Sequence, residues 1–116
     1  MLTTNLTIAT VINNIEKNGY PKGIGGTGYE HEGIFYACAL GQASLNLGHK
    51  HGWLWDQLFN GGTYNTIVRE FGQRAFQLND SVFSRTLKEI AETLRIEYAD
   101  QLDTVIPEYI NEDDNE

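Results

Sequence analysis

A chain of 116 residues is about the size of one domain and can bury a core without staples, and its 41% hydrophobic and 21% charged composition argues against wholesale disorder. The single cysteine, Cys38, excludes an intramolecular disulfide framework and suits a reducing compartment. The net charge of -8 is uneven: six of the sixteen carboxylates, Asp103, Glu108, Glu112, Asp113, Asp114 and Glu116, follow Leu102 with no basic residue among them, leaving ten against eight Lys and Arg in the rest.

None of the eight basic residues falls in a dense run, so direct binding to nucleic-acid phosphates is not expected. The first residues lack a basic n-region and a continuous apolar h-region, and no stretch approaches the roughly 18 apolar residues of a membrane span. The expectation is a cytoplasmic protein without membrane contact, organised as a helical domain over residues 1–102 and an acidic C-terminal tail over 103–116.

In chain order, Ile8, Val11, Ile12 and Ile15 recur at helical spacing and predict an amphipathic helix from about Asn5 to Asn18, closed by Asn18, Gly19 and Pro21. From Gly33 to Gly48 the small residues Ala37, Cys38, Ala39, Gly41 and Ala43 suggest a buried central helix that neighbours can approach closely, with a buried strand from Ile34 to Leu40 as the competing reading. "GWLWDQLF" reads as a short helix with both tryptophans in the core. Tyr64, Ile67, Val68, Phe71, Ala75 and Leu78 define the next helix, with Glu70 and Arg74 paired at i, i+4. Leu87, Ile90, Ala91, Leu94 and Tyr98 define the last, with Thr86 and Glu89 at capping-box spacing and Asp80, Ser81 and Ser84 as rival caps. The expected fold class is all-α, a compact bundle of four or five helices with a long glycine-rich loop between the first two.

That loop, "KGIGGTGYEHEG", holds Gly23, Gly25 and Gly28 at the G-x-G-x-x-G spacing of dinucleotide-binding turns. Its surroundings argue against that use. A helix end precedes it instead of a buried strand, and Glu30 and Glu32 follow where a phosphate needs positive potential. The alternative is a connector or a small glycine-turned hairpin. Because irregular loops of about fourteen residues are uncommon in compact domains unless functional, Gly25, Gly28, Tyr29, Glu30 and Glu32 are the first candidates for a partner-binding surface.

The histidines suggest a metal site, but a helix from Gly33 to Gly48 would hold His31 about 24 Å from His49 and His51, which then supply two ligands at most and read as exposed loop residues. No metal and no cofactor is expected. Cys38 lacks a nearby activating group and reads as a small core residue. Asn79, Asp80 and Arg85 bring three polar groups into one inter-helix turn and read as turn and capping residues.

Taken together, "IATVINNIEKNGYPKG", "ACALGQASLNLG" and "IVREFGQRAFQLNDSVFSRTLKEIAETLR" resemble a family of small prokaryotic and phage proteins catalogued as a domain of unknown function. The resemblance covers about residues 8–95 and rests on Gly19 with Tyr20, Cys38 with Gly41, and Asn79 with Asp80, Arg85 lying near a basic position of the family. It implies a small compact domain and no particular activity.

The function expected is a non-enzymatic protein-binding module, such as a phage accessory or anti-defence inhibitor that occupies a host protein's surface. The acidic end carries Tyr109, Glu112, Asp113 and Asp114 and suits steering toward a basic partner. Two other readings stand beside it: a small ligand-binding domain or enzyme using the glycine loop with Cys38 and Asp80, and an acidic nucleic-acid mimic.

Overall fold

The computed structural model describes residues 6–15, 17, 20–24, 26–59, 66–80 and 85–107. The first predicted stripe forms helix α1 (Ile8–Ile15), with Ile8, Val11, Ile12 and Ile15 fully buried. Its start is later than expected because Thr7 opens it: the Thr7 hydroxyl accepts the Thr10 N–H at 3.2 Å. Next comes an antiparallel hairpin, β1 (Tyr29–His31) and β2 (Ile34–Tyr36), in the register Tyr29 to Tyr36, Glu30 to Phe35 and His31 to Ile34. Helices α2 (Ala39–Asn46), α3 (Trp53–Phe59), α4 (Thr66–Asp80) and α5 (Leu87–Glu97) follow, then a 3-10 turn at Ala99–Gln101.

The all-α expectation is therefore corrected to a mainly helical fold of five helices with a small two-stranded sheet among the described residues. The error lay in Gly33 to Gly48. Glu32 and Gly33 both have positive φ, 53° and 82°, as a tight two-residue hairpin turn requires. The aromatic and β-branched run Ile34-Phe35-Tyr36 then extends, and the helix begins only at Ala39 after the extended Cys38. The strand is not the buried one considered, since Ile34 is exposed and Phe35 and Tyr36 are half-buried, while Leu40 is helical. Part of the stretch expected as an irregular loop is likewise ordered: β1 occupies its end, and Lys22 bridges to Ala37 in parallel.

Helix α2 is central and packs against α1, α3 and α4, while α5 closes against α1 and α4. Val68, Phe71, Ala75 and Leu78 of α4 and Ile90, Ala91 and Leu94 of α5 meet Leu54 and Leu58 of α3 in one core. Tyr64 lies outside the described residues. Arg74 does not spend itself on Glu70: its Nε and Nη2 donate to the two carboxylate oxygens of Glu97 in α5, each at 2.7 Å. Two parallel charge-assisted bonds outcompete one contact along a helix, and they hold the Glu97 carboxyl below its ordinary value. Beyond Leu102 the chain stays with the body as far as Ile106, which is buried and donates its N–H to Leu6 at 2.8 Å.

The capping box of α5 forms as its spacing indicates. Glu89 N–H donates to the Thr86 hydroxyl at 3.1 Å, and Thr86 N–H donates to the Glu89 carboxylate at 2.9 Å. Replacing Thr86 by Ala removes an N-cap and is expected to cost about 1 kcal/mol in urea unfolding; an unchanged midpoint would mean that Asp80, Ser81 or Ser84 takes over the cap.

Candidate functional site

The glycine segment leads into β1 and not into a helix N-terminus, so the described residues do not form the strand–turn–helix geometry that receives a pyrophosphate. Close ring packing explains two of its glycines. A Cβ on Gly23 would meet Tyr29 Cε1 at 2.9 Å and Tyr36 Cβ at 3.1 Å; one on Gly28 would meet His51 Cγ at 2.6 Å and the Phe35 ring at 2.7 Å. Side chains at either position would push the hairpin off the body. Gly25 is outside the described residues.

The hairpin register sets its two faces, because side chains alternate along a strand and cross-strand partners share a side. Tyr29, His31, Ile34 and Tyr36 share one face, and Glu30 and Phe35 the other. Phe35 turns toward the body, with its ring 5.4 Å from Tyr20 and 5.9 Å from His51. On the opposite face the Tyr29 and Tyr36 rings stack at 5.5 Å, and the Tyr29 hydroxyl accepts the Ile24 N–H at 3.4 Å. Ile24 is 56% exposed, Ile34 48% and Tyr29 39%. Glu32, in the turn, is exposed beside them, its carboxylate 3.7 Å from His31, while Glu30 is exposed on the face it shares with Phe35. The result is an apolar, partly aromatic surface with the Glu32 carboxylate at its margin.

A polar knot under the hairpin anchors it. Asn79, 1% exposed at the end of α4, accepts the Ala39 N–H at 2.9 Å and donates to the Gly23 carbonyl at 2.9 Å and the Asp80 carboxylate at 2.8 Å. Asn79 therefore caps a helix, as its residue type suggested, but the helix is α2, forty residues earlier. Lys22 Nζ donates to the carbonyls of Asn79 at 3.3 Å and Arg85 at 2.6 Å. Gln42, fully buried, donates to the carbonyls of Tyr20 at 2.9 Å and Ala37 at 3.0 Å. The predicted trio thus comes together, with Asn79 and Asp80 ending α4 and Arg85 contributing its carbonyl.

Cys38 sits in the same region as the N-cap of α2, its sulfur accepting the Gly41 N–H at 3.4 Å. Burial pushes its thiol up from the ordinary value, and the Asp80 carboxylate adds to that. A buried thiol held protonated is a poor nucleophile.

An open cavity of about 490 Å³ lies on another side of the glycine segment, between Gly26 and Thr27, His51 and Gly52, Trp55 of α3 and Phe76 of α4. Sequence reasoning missed this arrangement. It expected both tryptophans in the core, yet Trp55 is 36% exposed. It treated His49 and His51 alike as exposed; His51 is half-buried and shares a 2.8 Å hydrogen bond with the Thr27 hydroxyl through Nδ1. His49 is exposed and stacks on Trp53 at 3.7 Å. The 24 Å separation argued for His31 also fails, because no single helix spans Gly33 to Gly48. Among the described residues no three His, Cys, Asp or Glu side chains gather as metal ligands. Tyr109, Glu112, Asp113 and Asp114 are outside the described residues.

No helix among the described residues is long and apolar enough to cross a membrane. No family model, curated protein or solved structure matches the chain.

Proposed function

We propose that the protein is a non-enzymatic binding module that occupies the surface of a protein partner through the outer face of its hairpin. The observation that carries this reading is the exposed cluster of Ile24, Tyr29 and Ile34, with Glu32 of the hairpin turn exposed beside it. Contiguous apolar surface on a small domain is a marker of interaction sites, and tyrosine is enriched among residues that dominate binding energy. A carboxylate at the margin of an apolar centre favours a partner with a basic rim. The knot around Asn79 and Lys22 holds the hairpin in place before binding, which lowers the ordering cost of association.

A two-part experiment tests this. The tagged protein, recovered from its native host, is expected to bring down a partner that the Tyr29→Ser, Ile34→Ser double variant loses, with affinity falling tenfold or more in a purified assay. Removing residues 111–116 is expected to slow association with that partner at low salt and to matter little near 1 M, where the Debye length falls to about 3 Å. Retention of the partner by the double variant would move the contact surface away from the hairpin.

A further inference from the structure

We propose that the cavity beside the glycine segment is a binding site for a small, uncharged planar ring with a hydrogen-bonding group at its edge. Its volume of about 490 Å³ lies within the range of sites that enclose small organic ligands. The aromatic wall is set before any ligand arrives. The Trp55 ring is buttressed by Phe59 at 4.3 Å and by Phe76 edge-on at 5.5 Å, while part of its surface stays open. An aromatic ligand gains offset or edge-to-face contact with such a wall beyond the burial of its area.

The polar element is equally set. His51 is held through Nδ1 by the Thr27 hydroxyl at 2.8 Å and packs against Phe35 at 5.9 Å. Gly28 permits that seat, since any Cβ there would overlap the imidazole. With Nδ1 committed to Thr27, Nε2 is the ring nitrogen that a ligand's edge can address. The remaining lining residues, Lys50 and Asp56, carry opposite charges, so the wall favours neither an anion nor a cation. That separates this site from a phosphate cradle, although the glycine segment contributes to both ideas.

One ring chemistry has two sources, a free small molecule or the side chain of a tyrosine on another protein. Titration of the full-length protein with p-cresol, indole, N-acetyl-tyrosinamide and cyclohexanol distinguishes them, read by amide chemical shifts of Gly26, Thr27 and Gly52. Saturable shifts with p-cresol and indole, at millimolar dissociation constants, are expected; such affinity is appropriate to ligands of this size. Cyclohexanol should bind at least tenfold more weakly. Trp55→Ala is expected to weaken p-cresol tenfold or more, and Phe76→Leu, which keeps apolar volume, serves if the first variant fails to fold. Toluene, which lacks the edge hydroxyl, should bind more weakly than p-cresol, and Thr27→Val should erase that difference by releasing His51. N-acetyl-tyrosinamide binding at least as tightly as p-cresol assigns the ring to a partner's side chain, and weaker binding assigns it to a free molecule. Absence of saturable shifts, equal binding of cyclohexanol, or affinity unchanged in a folded Trp55 or Phe76 variant overturns the proposal.

Discussion

Gly41→Ala is expected to destabilise the protein by about 2–3 kcal/mol, the upper part of the range for overpacking a close-packed site. The direction matters most, because alanine in a helix interior is ordinarily better than glycine by about 1 kcal/mol. A new Cβ at position 41 of α2 would fall on the carbonyl oxygen of Thr27, far inside van der Waals contact. That obstacle is backbone and cannot rotate away as a side chain does. Relief requires the glycine segment to move off α2, which also pulls the Thr27 hydroxyl from His51. Urea unfolding measures the effect, with Gly52→Ala as the control: a Cβ there meets only the Thr27 hydroxyl oxygen, at 3.9 Å, and should leave the midpoint near wild type. If Gly41→Ala is neutral or stabilising, the segment does not rest on α2 as described.

The second large effect is expected at Asn79. Replacing it with Ala leaves the Ala39 N–H and the Gly23 carbonyl without their partner in a region where both are buried. Each orphaned buried group costs about 1–3 kcal/mol, so a loss of about 3 kcal/mol is expected. The damage should also be local. Hydrogen exchange at Ala39 and through the hairpin should accelerate more than in α5, because one side chain ties the start of α2 to the segment ahead of β1. Asn79→Asp keeps the acceptor for Ala39 but places a second carboxylate against Asp80 and the Gly23 carbonyl, and it should be no better than Ala at neutral pH. Uniform exchange across the molecule would show that Asn79 stabilises the fold without anchoring the hairpin.

The partition between sequence and tertiary structure follows from the range of the interactions. Ile8, Val11, Ile12 and Ile15 of α1, and the stripes of α4 and α5, were legible because helical periodicity is local and each described residue of those stripes packs in or against the core. The Thr86 and Glu89 box closes within four residues and was legible for the same reason. Residues 33–38 were not. Ile34-Phe35-Tyr36 suits a helix or a strand, and the choice was made by β1, by the Lys22 bridge and by rings that need the room Gly23 and Gly28 leave. Arg74 was assigned to Glu70 on spacing, but α5 offers it both oxygens of Glu97, twenty-three residues away. Asn79 signalled a cap without saying for which helix. Composition and periodicity thus determined which segments are helical and where most of the core lies. Tertiary packing decided where the hairpin sits, its anchor and the cavity around Trp55 and His51, because each depends on groups that meet only after the helices have packed.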